Sequence, residues 1–101
     1  MTPAKTAPKL TEAQFQQQYC ALAQMLGWRI FRQRYALGAD PGWPDVVALR
    51  GTRIVAAELK AQRGRVTDAQ TDWIAAFNML DGGEGHLWWP QDIDEITRVL
   101  R

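Results

Sequence analysis

The sequence predicts an α/β domain in which helices flank a mixed central β-sheet, with the elements in the order αβββαβα. Stretches with apolar residues at helical spacing alternate with short β-branched and aromatic runs. Capping boxes precede two of the helical stretches, and two of the apolar runs flank a two-residue turn. A chain of 101 residues, 47% hydrophobic and 23% charged, fits one ordinary globular domain.

The first helix is predicted over residues 11–26. Thr11 and Gln14 fit a capping box, in which each side chain bonds the other residue's backbone N–H. Gly27 suits the position that follows a helix. The apolar stripe of this helix comprises Phe15, Tyr19, Leu22 and Leu26.

Three strands are predicted next, over residues 28–35, 45–50 and 53–60. The first is aromatic and β-branched, and a loop rich in glycine and proline follows it over residues 36–44. The second and third strands flank Gly51-Thr52, a pair typical of a type II′ hairpin turn. Both runs are apolar on both faces, which predicts two interior strands of a sheet that is covered on both sides.

A second helix follows a second capping box, formed by Thr67 and Gln70. Its predicted apolar face comprises Trp73, Ile74, Phe77 and Leu80. The glycine-rich residues 81–85 are predicted to form a loop.

The last two elements are a short strand over residues 86–89 and a helix. Pro90 is predicted to end the strand, because proline cannot donate a backbone hydrogen bond. Asp92 and Glu95 are predicted to cap the helix that follows.

Composition excludes several kinds of site. Cys20 and His86 are the only residues of their types and serine is absent, so the chain can form neither an internal disulfide, a Cys/His zinc site nor a Ser-His-Asp triad. A Cys20–His86 dyad remains formally possible, but the apolar neighbours of Cys20 favour a buried, inert thiol. Residues 1–9 show neither a helical pattern nor a hydrophobic segment, and we expect a disordered tail and no signal peptide. These features predict a soluble protein of a reducing, intracellular compartment.

The charge of the chain is unevenly distributed. The net charge is only +1, which taken alone argues against a nucleic-acid partner. Residues 1–65 carry ten basic and four acidic side chains, whereas residues 66–101 carry two basic and seven acidic ones. This division is consistent with one basic face.

Two carboxylates and a lysine are predicted to meet at one end of the hairpin. If Gly51-Thr52 forms the loop, Asp45 lies opposite Glu58, and Lys60 projects from the same face as Glu58. A three-residue loop or a bulge would break this parity. Facing carboxylates repel each other, and a divalent cation such as Mg²⁺ or Mn²⁺ would offset the repulsion. The alternative is a structural ion pair between Lys60 and Glu58.

The ordered motifs around these residues resemble a known nuclease family. Pro44-Asp45 followed after twelve residues by Glu58-Leu59-Lys60 resembles the PD-(D/E)XK motif, which alone is weakly specific. The wider set is similar to VRR-NUC (virus-type replication-repair nuclease) domains over about residues 10–101. The matching segments are Gly27-Trp28 after the first helix, Gly42-Trp43-Pro44-Asp45-Val46-Val47, Gly64-Arg65-Val66-Thr67 with Gln70 and Trp73, and Trp88-Trp89-Pro90 with Asp92.

The resemblance implies a restriction-endonuclease-like αβββαβ core with an additional C-terminal helix, and a site that binds Mg²⁺ or Mn²⁺. Asp45 and Glu58 then correspond to the metal-binding carboxylates, with the Leu59 backbone carbonyl as a further ligand and Lys60 as the catalytic lysine. Glu12 resembles a family acid that approaches the metal, often through water. Its alternative role is a favourable interaction with the helix dipole.

Gln70 matches a family glutamine at the catalytic site, although its capping role explains it equally well. The expected activity is metal-dependent, structure-specific hydrolysis of DNA phosphodiester bonds, on branched DNA such as Holliday junctions. Small phage-type members of the family imply a homodimer in the cytoplasm of a bacterial or phage-infected cell, with neither a membrane nor an organic cofactor. The alternatives are a flap or restriction-type nuclease, a non-catalytic DNA-binding module and a plain interaction domain.

Candidate DNA contacts are basic and aromatic side chains near the predicted site. Arginines that contact phosphates determine the position of the protein on DNA and the salt dependence of binding. The alternative is that these arginines are solvated surface residues without a role in binding. Trp43 is predicted either to stack on a base or to pack beneath the loop that precedes Asp45. The candidates are Arg32, Arg34, Arg63, Arg65 and Trp43.

Overall fold

The computed structural model describes residues 9–33, 40–62 and 64–101, and its elements follow the predicted order. Residues Pro90–Asp92 form a single 3-10 turn before the last helix. Within the described residues, no helix has the length and apolarity needed to cross a membrane. The elements are α1 (Glu12–Met25), β1 (Arg29–Arg32), β2 (Val46–Arg50), β3 (Arg53–Leu59), α2 (Asp68–Asn78), β4 (Gly83–Trp88) and α3 (Ile93–Leu100).

The four strands form one mixed sheet in the order β1-β2-β3-β4. The β1–β2 and β2–β3 pairs are antiparallel, and the β3–β4 pair is parallel, with α2 as the crossover. Arg50 lies opposite Arg53, so Gly51 and Thr52 form a two-residue turn. A type II′ turn requires a positive φ at its first central residue and a negative φ at its second. Gly51 has a φ of 59°, and Thr52, like every other described non-glycine residue, does not have a positive φ. The predicted register is therefore confirmed.

One face of the sheet packs against α1 and forms the main core together with α3. Trp28 lies in this core, and its indole N–H donates to the Leu100 carbonyl at 2.8 Å. Cys20 is buried here, as predicted, and burial raises the pKa of its thiol. The buried residues of this cluster are Phe15, Tyr19, Cys20, Ala23, Trp28, Val46, Ala48, Val55, Ala57, Leu59, Trp88, Ile96 and Leu100.

The opposite face is only partly covered, because α2 packs on β3 and β4. On this face Leu49 of β2 is 47% exposed and Phe31 of β1 is 61% exposed. The prediction that both faces of both hairpin strands are covered is therefore correct for β3 and wrong for β2. An apolar strand face indicates that packing of another element against it is favourable. The sequence of the strand does not indicate over which strands a single helix will lie.

Strand β4 begins at Gly83, three residues before the predicted start, so residues 83–85 are strand rather than loop. A Cβ atom at Gly83 would lie 2.5 Å from the Phe77 carbonyl oxygen, and one at Gly85 would lie 2.9 Å from the Ile74 Cα. These glycines allow α2 to approach the strand closely. Leu80, predicted on the apolar face of the helix, lies beyond the end of α2 and is exposed.

Asp92 occupies the N-cap position of α3, as predicted, but its side chain makes no capping bond to that helix, because the chain turns earlier. Pro90 begins the 3-10 turn, and the Asp92 carboxylate accepts from the Trp89 N–H at 2.8 Å. Glu95 instead accepts from the Trp88 indole N–H at 2.7 Å. Strand β1 comprises Arg29–Arg32, so Trp28 and Gln33 of the predicted strand are not part of it, and residues 34–35 lie outside the described residues.

Candidate active site

Asp45 and Glu58 meet at the end of the hairpin that is remote from its turn. The register of β2 and β3, continued one pair beyond Val46 and Ala57, places Asp45 opposite Glu58. The two carboxyl groups are close enough for each to change the pKa of the other. The backbone N–H of Leu59 donates to Asp45 Oδ2 at 2.9 Å and fixes that side chain against β3. The sequence-predicted pair is thus brought together.

Burial controls the electrostatics of this pair. Glu58 is 4% exposed, and burial together with the charge of Asp45 raises its pKa to about 7, against the opposing effect of Lys60. Burial also raises the pKa of Asp45, while the Leu59 N–H, the bond to Glu58 and the charge of Lys60 oppose this change. Burial, which is the largest cause, and the neighbouring carboxylate thus bring the pKa of Glu58 close to neutral pH.

Lys60 supplies a positive charge to the pair. Its Nζ lies 3.5 Å from Glu58 Oε2, and both side chains are largely buried. The Lys60 backbone N–H donates to the Trp88 carbonyl at 2.9 Å, which anchors the residue just beyond β3. A Cβ atom at Gly64 would approach Lys60 Cδ to 2.9 Å, so glycine leaves room for the lysine stem. The same contact would serve a catalytic lysine or a structural ion pair.

Gln70 both caps α2 and contacts Glu58. Its Oε1 accepts from the Thr67 N–H at 3.0 Å while its own N–H donates to Thr67 Oγ1, which completes the capping box of α2. Its Nε2 donates to Glu58 Oε2 at 2.9 Å. The cap therefore fixes which end of the amide faces the carboxylate.

The loop before Asp45 docks on the first turns of α2. Gly42 has a φ of 81°, and a Cβ atom there would lie 2.6 Å from the Gln70 backbone nitrogen. The Trp73 indole N–H donates to the Pro41 carbonyl at 3.0 Å, and the Trp43 ring lies 4.8 Å from the Trp73 ring. Trp43 thus occupies the packing position that was one of its two predicted roles. The part played by Gly42 and Pro41 was missed, although a Pro-Gly pair three residues before Pro44 already signalled a tight turn.

The donor set at this site fits a hard divalent cation. Two carboxylates share one buried position, burial raises the pKa of both, and carboxylate oxygens are the ligands that Mg²⁺ and Mn²⁺ prefer. The Leu59 N–H points toward Asp45, and the N–H and C=O of one strand residue point toward the same neighbouring strand. The Leu59 carbonyl therefore lies on the side of β3 that faces Asp45.

The additional predicted acid stands apart from this pair. Glu12 is exposed in the first turn of α1, where it has a favourable position relative to the helix dipole. In the part of the chain that the structure describes, no three histidine, cysteine or acidic side chains form a metal-binding cluster. Among the described residues, the pair of Asp45 and Glu58 therefore has no third acidic, histidine or cysteine side chain with which to form such a cluster.

The predicted arginines differ in their surroundings. Arg32 lies opposite Val46, on the α1 side of the sheet, and its Nε donates to Gln16 Oε1 at 3.2 Å. Its charge nevertheless contributes to lowering the pKa of Asp45. Arg65 is exposed in the loop between Lys60 and α2. Arg34 and Arg63 lie outside the described residues.

Comparisons of the chain with protein-family models, with curated proteins and with solved structures found no match.

Proposed function

We propose that this chain is a metal-dependent, structure-specific endonuclease that hydrolyses phosphodiester bonds in DNA, with branched DNA as its substrate. The observation that carries the proposal is the buried pair of Asp45 and Glu58 with Lys60 Nζ at 3.5 Å from Glu58. The mixed α/β fold and the element order support assignment to the restriction-endonuclease-like αβββαβ core of VRR-NUC domains.

The carboxylates of Asp45 and Glu58, with the Leu59 carbonyl, would hold the metal. When bound there, Mg²⁺ or Mn²⁺ supplies charge that polarises the scissile phosphate and lowers the pKa of a water. Lys60 presents a fixed positive charge on the same face and stabilises negative charge that develops on the phosphate. Attack of water on phosphorus releases the 3′ oxygen, so the products carry a 5′-phosphate and a 3′-hydroxyl group.

Gln70 holds the second carboxylate in a defined orientation. Its amide donates to Glu58 Oε2, and Lys60 approaches the same oxygen. Both contacts engage the same oxygen and restrict the orientation in which the Glu58 carboxylate would hold a metal. A ligand oriented by a second residue in this way is typical of metal centres, where such partners contribute strongly to metal affinity and activity.

A cleavage panel tests the proposal. Single strand, duplex, flap, fork and four-way junction are incubated with Mg²⁺ or Mn²⁺ and the wild type, Asp45→Asn, Glu58→Gln or Lys60→Ala. We expect all three variants to lose cleavage of branched DNA while binding it. Asp94→Asn, which changes an exposed carboxylate of α3, is the matched control and retains full activity.

Two results would contradict the proposal. Full cleavage by Lys60→Ala would leave the structural ion pair as the role of that lysine. Absence of cleavage of every DNA in both metals would favour a non-catalytic binding module. A preference for flaps or for duplex sites would instead retain the chemistry and change the substrate. We further propose a homodimer as the active species, and sedimentation of an active monomer would contradict this.

A further inference from the structure

The uncovered face of the sheet leads directly to the proposed site. Phe31 lies opposite Val47 in the register, and Val47 lies opposite Ala56. Residues two apart on a strand share a face, so Phe31 and Val47 lie on the same face as Asp45 and Glu58. Phe31 is therefore one step along the strands from the carboxylate pair, with its ring 61% exposed.

A DNA strand can reach the carboxylates across this face. Helix α2 closes the opposite flank, where Gln70 contacts Glu58 and Gly42 packs against the helix backbone. Over β1 and β2, by contrast, both Phe31 and Leu49 are exposed. In the described part of the chain, the approach to the site is therefore open on the Phe31 side and blocked on the α2 side.

The charge of this face suits a phosphate backbone. Arg29 is exposed, lies two residues from Phe31 on the same strand and therefore projects from the same face. An exposed aromatic ring beside an arginine on a sheet surface is an arrangement with which proteins bind unpaired bases. A second copy seated on Phe31 would cover the open approach, so the observations favour nucleic acid as the occupant.

We propose that Phe31 is a stacking platform for an unpaired base adjacent to the scissile phosphate, and that Arg29 contacts the backbone of the same strand. The inference rests on the proposed function and specifies its substrate class, which is DNA with unpaired nucleotides next to the cleavage position. A base stacked inside a continuous duplex offers no free face to an aromatic ring, whereas an unpaired base does.

Binding measurements separate this role from catalysis. A fluorescent single strand, fork and fully paired duplex of equal length are titrated without divalent metal, and anisotropy is recorded for the wild type, Phe31→Ala, Phe31→Trp and Leu49→Ala. We expect Phe31→Ala to weaken binding of the single strand and the fork about tenfold, and that of the duplex less than about twofold. Phe31→Trp retains binding, and Leu49→Ala is the matched control on the same face.

A second readout locates the contact. DNA that carries 5-iododeoxyuridine at an unpaired position is irradiated with the protein, and the modified peptide is identified by mass spectrometry. We expect cross-linking at Phe31 in the wild type and in Asp45→Asn, and its loss in Phe31→Leu.

Three results of the binding and sedimentation measurements would overturn the inference. The first is unchanged DNA binding by Phe31→Ala, and the second is an equal loss of affinity for single strand and duplex in that variant. The third is a dimer that both Phe31→Ala and Leu49→Ala dissociate in sedimentation, which would assign the face to contact between copies. If the wild type cleaves DNA and Phe31→Ala cleaves it equally well, the inference is overturned and the proposed function stands. If the wild type cleaves no DNA, the proposed function fails, and anisotropy and cross-linking still decide the role of Phe31.

Discussion

At the scale of single residues, Asp45 and Glu58 share a buried position that favours a proton or a metal ion between them. Their juxtaposition was predicted from sequence because a two-residue turn determines every pair of a hairpin. The dual role of Gln70 was left open, since a capping motif describes only local bonds. The contact of Gly42 with α2 was not predicted, because it joins segments that no local pattern relates.

The pKa of Glu58 predicts that metal-free stability depends on pH. A carboxyl whose pKa rises from 4.5 in the unfolded chain to about 7 in the fold stabilises the protein at acidic pH. That contribution is lost as the pH rises from about 5 through about 7. We expect the melting temperature without metal to fall between pH 5 and pH 8 by more in the wild type than in Glu58→Gln.

Metal should reverse this loss. Because the carboxylates bind metal in their ionised form, Mg²⁺ is expected to raise the melting temperature more at pH 8 than at pH 5. Asp94→Asn, on the other side of the sheet, should behave like the wild type. An identical pH dependence in the wild type and Glu58→Gln would show that Glu58 titrates normally.

At the scale of elements, the two capping boxes provide a matched pair. Thr11–Gln14 and Thr67–Gln70 form the same reciprocal bonds, but only Gln70 also donates to Glu58. We expect Gln14→Ala and Gln70→Ala each to lower the free energy of unfolding by about 1 kcal/mol. Only Gln70→Ala should reduce cleavage, by about tenfold or more. Equal activities of the two variants would restrict Gln70 to capping.

The contact between α2 and β4 predicts a large effect of one methyl group. In Gly85→Ala the new Cβ meets the Ile74 backbone, and moving the helix would also break the two bonds between Gly85 and the Asn78 side chain. We expect a loss of about 3 kcal/mol in the free energy of unfolding. Gly51→Ala meets no atom within 4 Å and should lose only about 1 kcal/mol from its positive φ. Chemical denaturation measures both, and a smaller loss in Gly85→Ala would contradict the close approach.

Glycine also explains where sequence-based prediction of the elements failed. The glycines of residues 81–85 were interpreted as loop residues, whereas Gly83 and Gly85 lie in β4 and allow α2 to pack closely against it. The helix starts at Thr11 and Thr67 were predicted correctly because capping is a local interaction. Helix coverage of the sheet is a long-range property, and the exposure of Leu49 was accordingly not predicted.

At the scale of the whole molecule, the arginines of the basic half divide between structure and surface. Arg50 donates to the carbonyls of Leu26 and Leu100, and Arg53 pairs with Glu84 and donates to the Val99 carbonyl. These residues satisfy helix ends on the face remote from Asp45. A count of charges along the sequence therefore overestimates the charge available to DNA.

Salt dependence distinguishes the two groups of arginines. Replacing Arg63 and Arg65 with alanine should reduce the slope of log affinity for DNA against log salt by about two. Arg50→Ala should leave this slope unchanged and destabilise the fold by about 3 kcal/mol, because three backbone carbonyls lose a charged donor. An unchanged slope in the double variant would remove the loop from the DNA interface.

The parallel pairing of β3 and β4 has a consequence for the order of folding. The hairpin closes through two residues, whereas β4 can pair with β3 only after the intervening chain, including α2, has formed its crossover. Local contacts form faster than contacts that close long loops. The two carboxylates should therefore come together early, and Gln70 should join them late. Acquisition of activity during refolding would then lag behind formation of the hairpin.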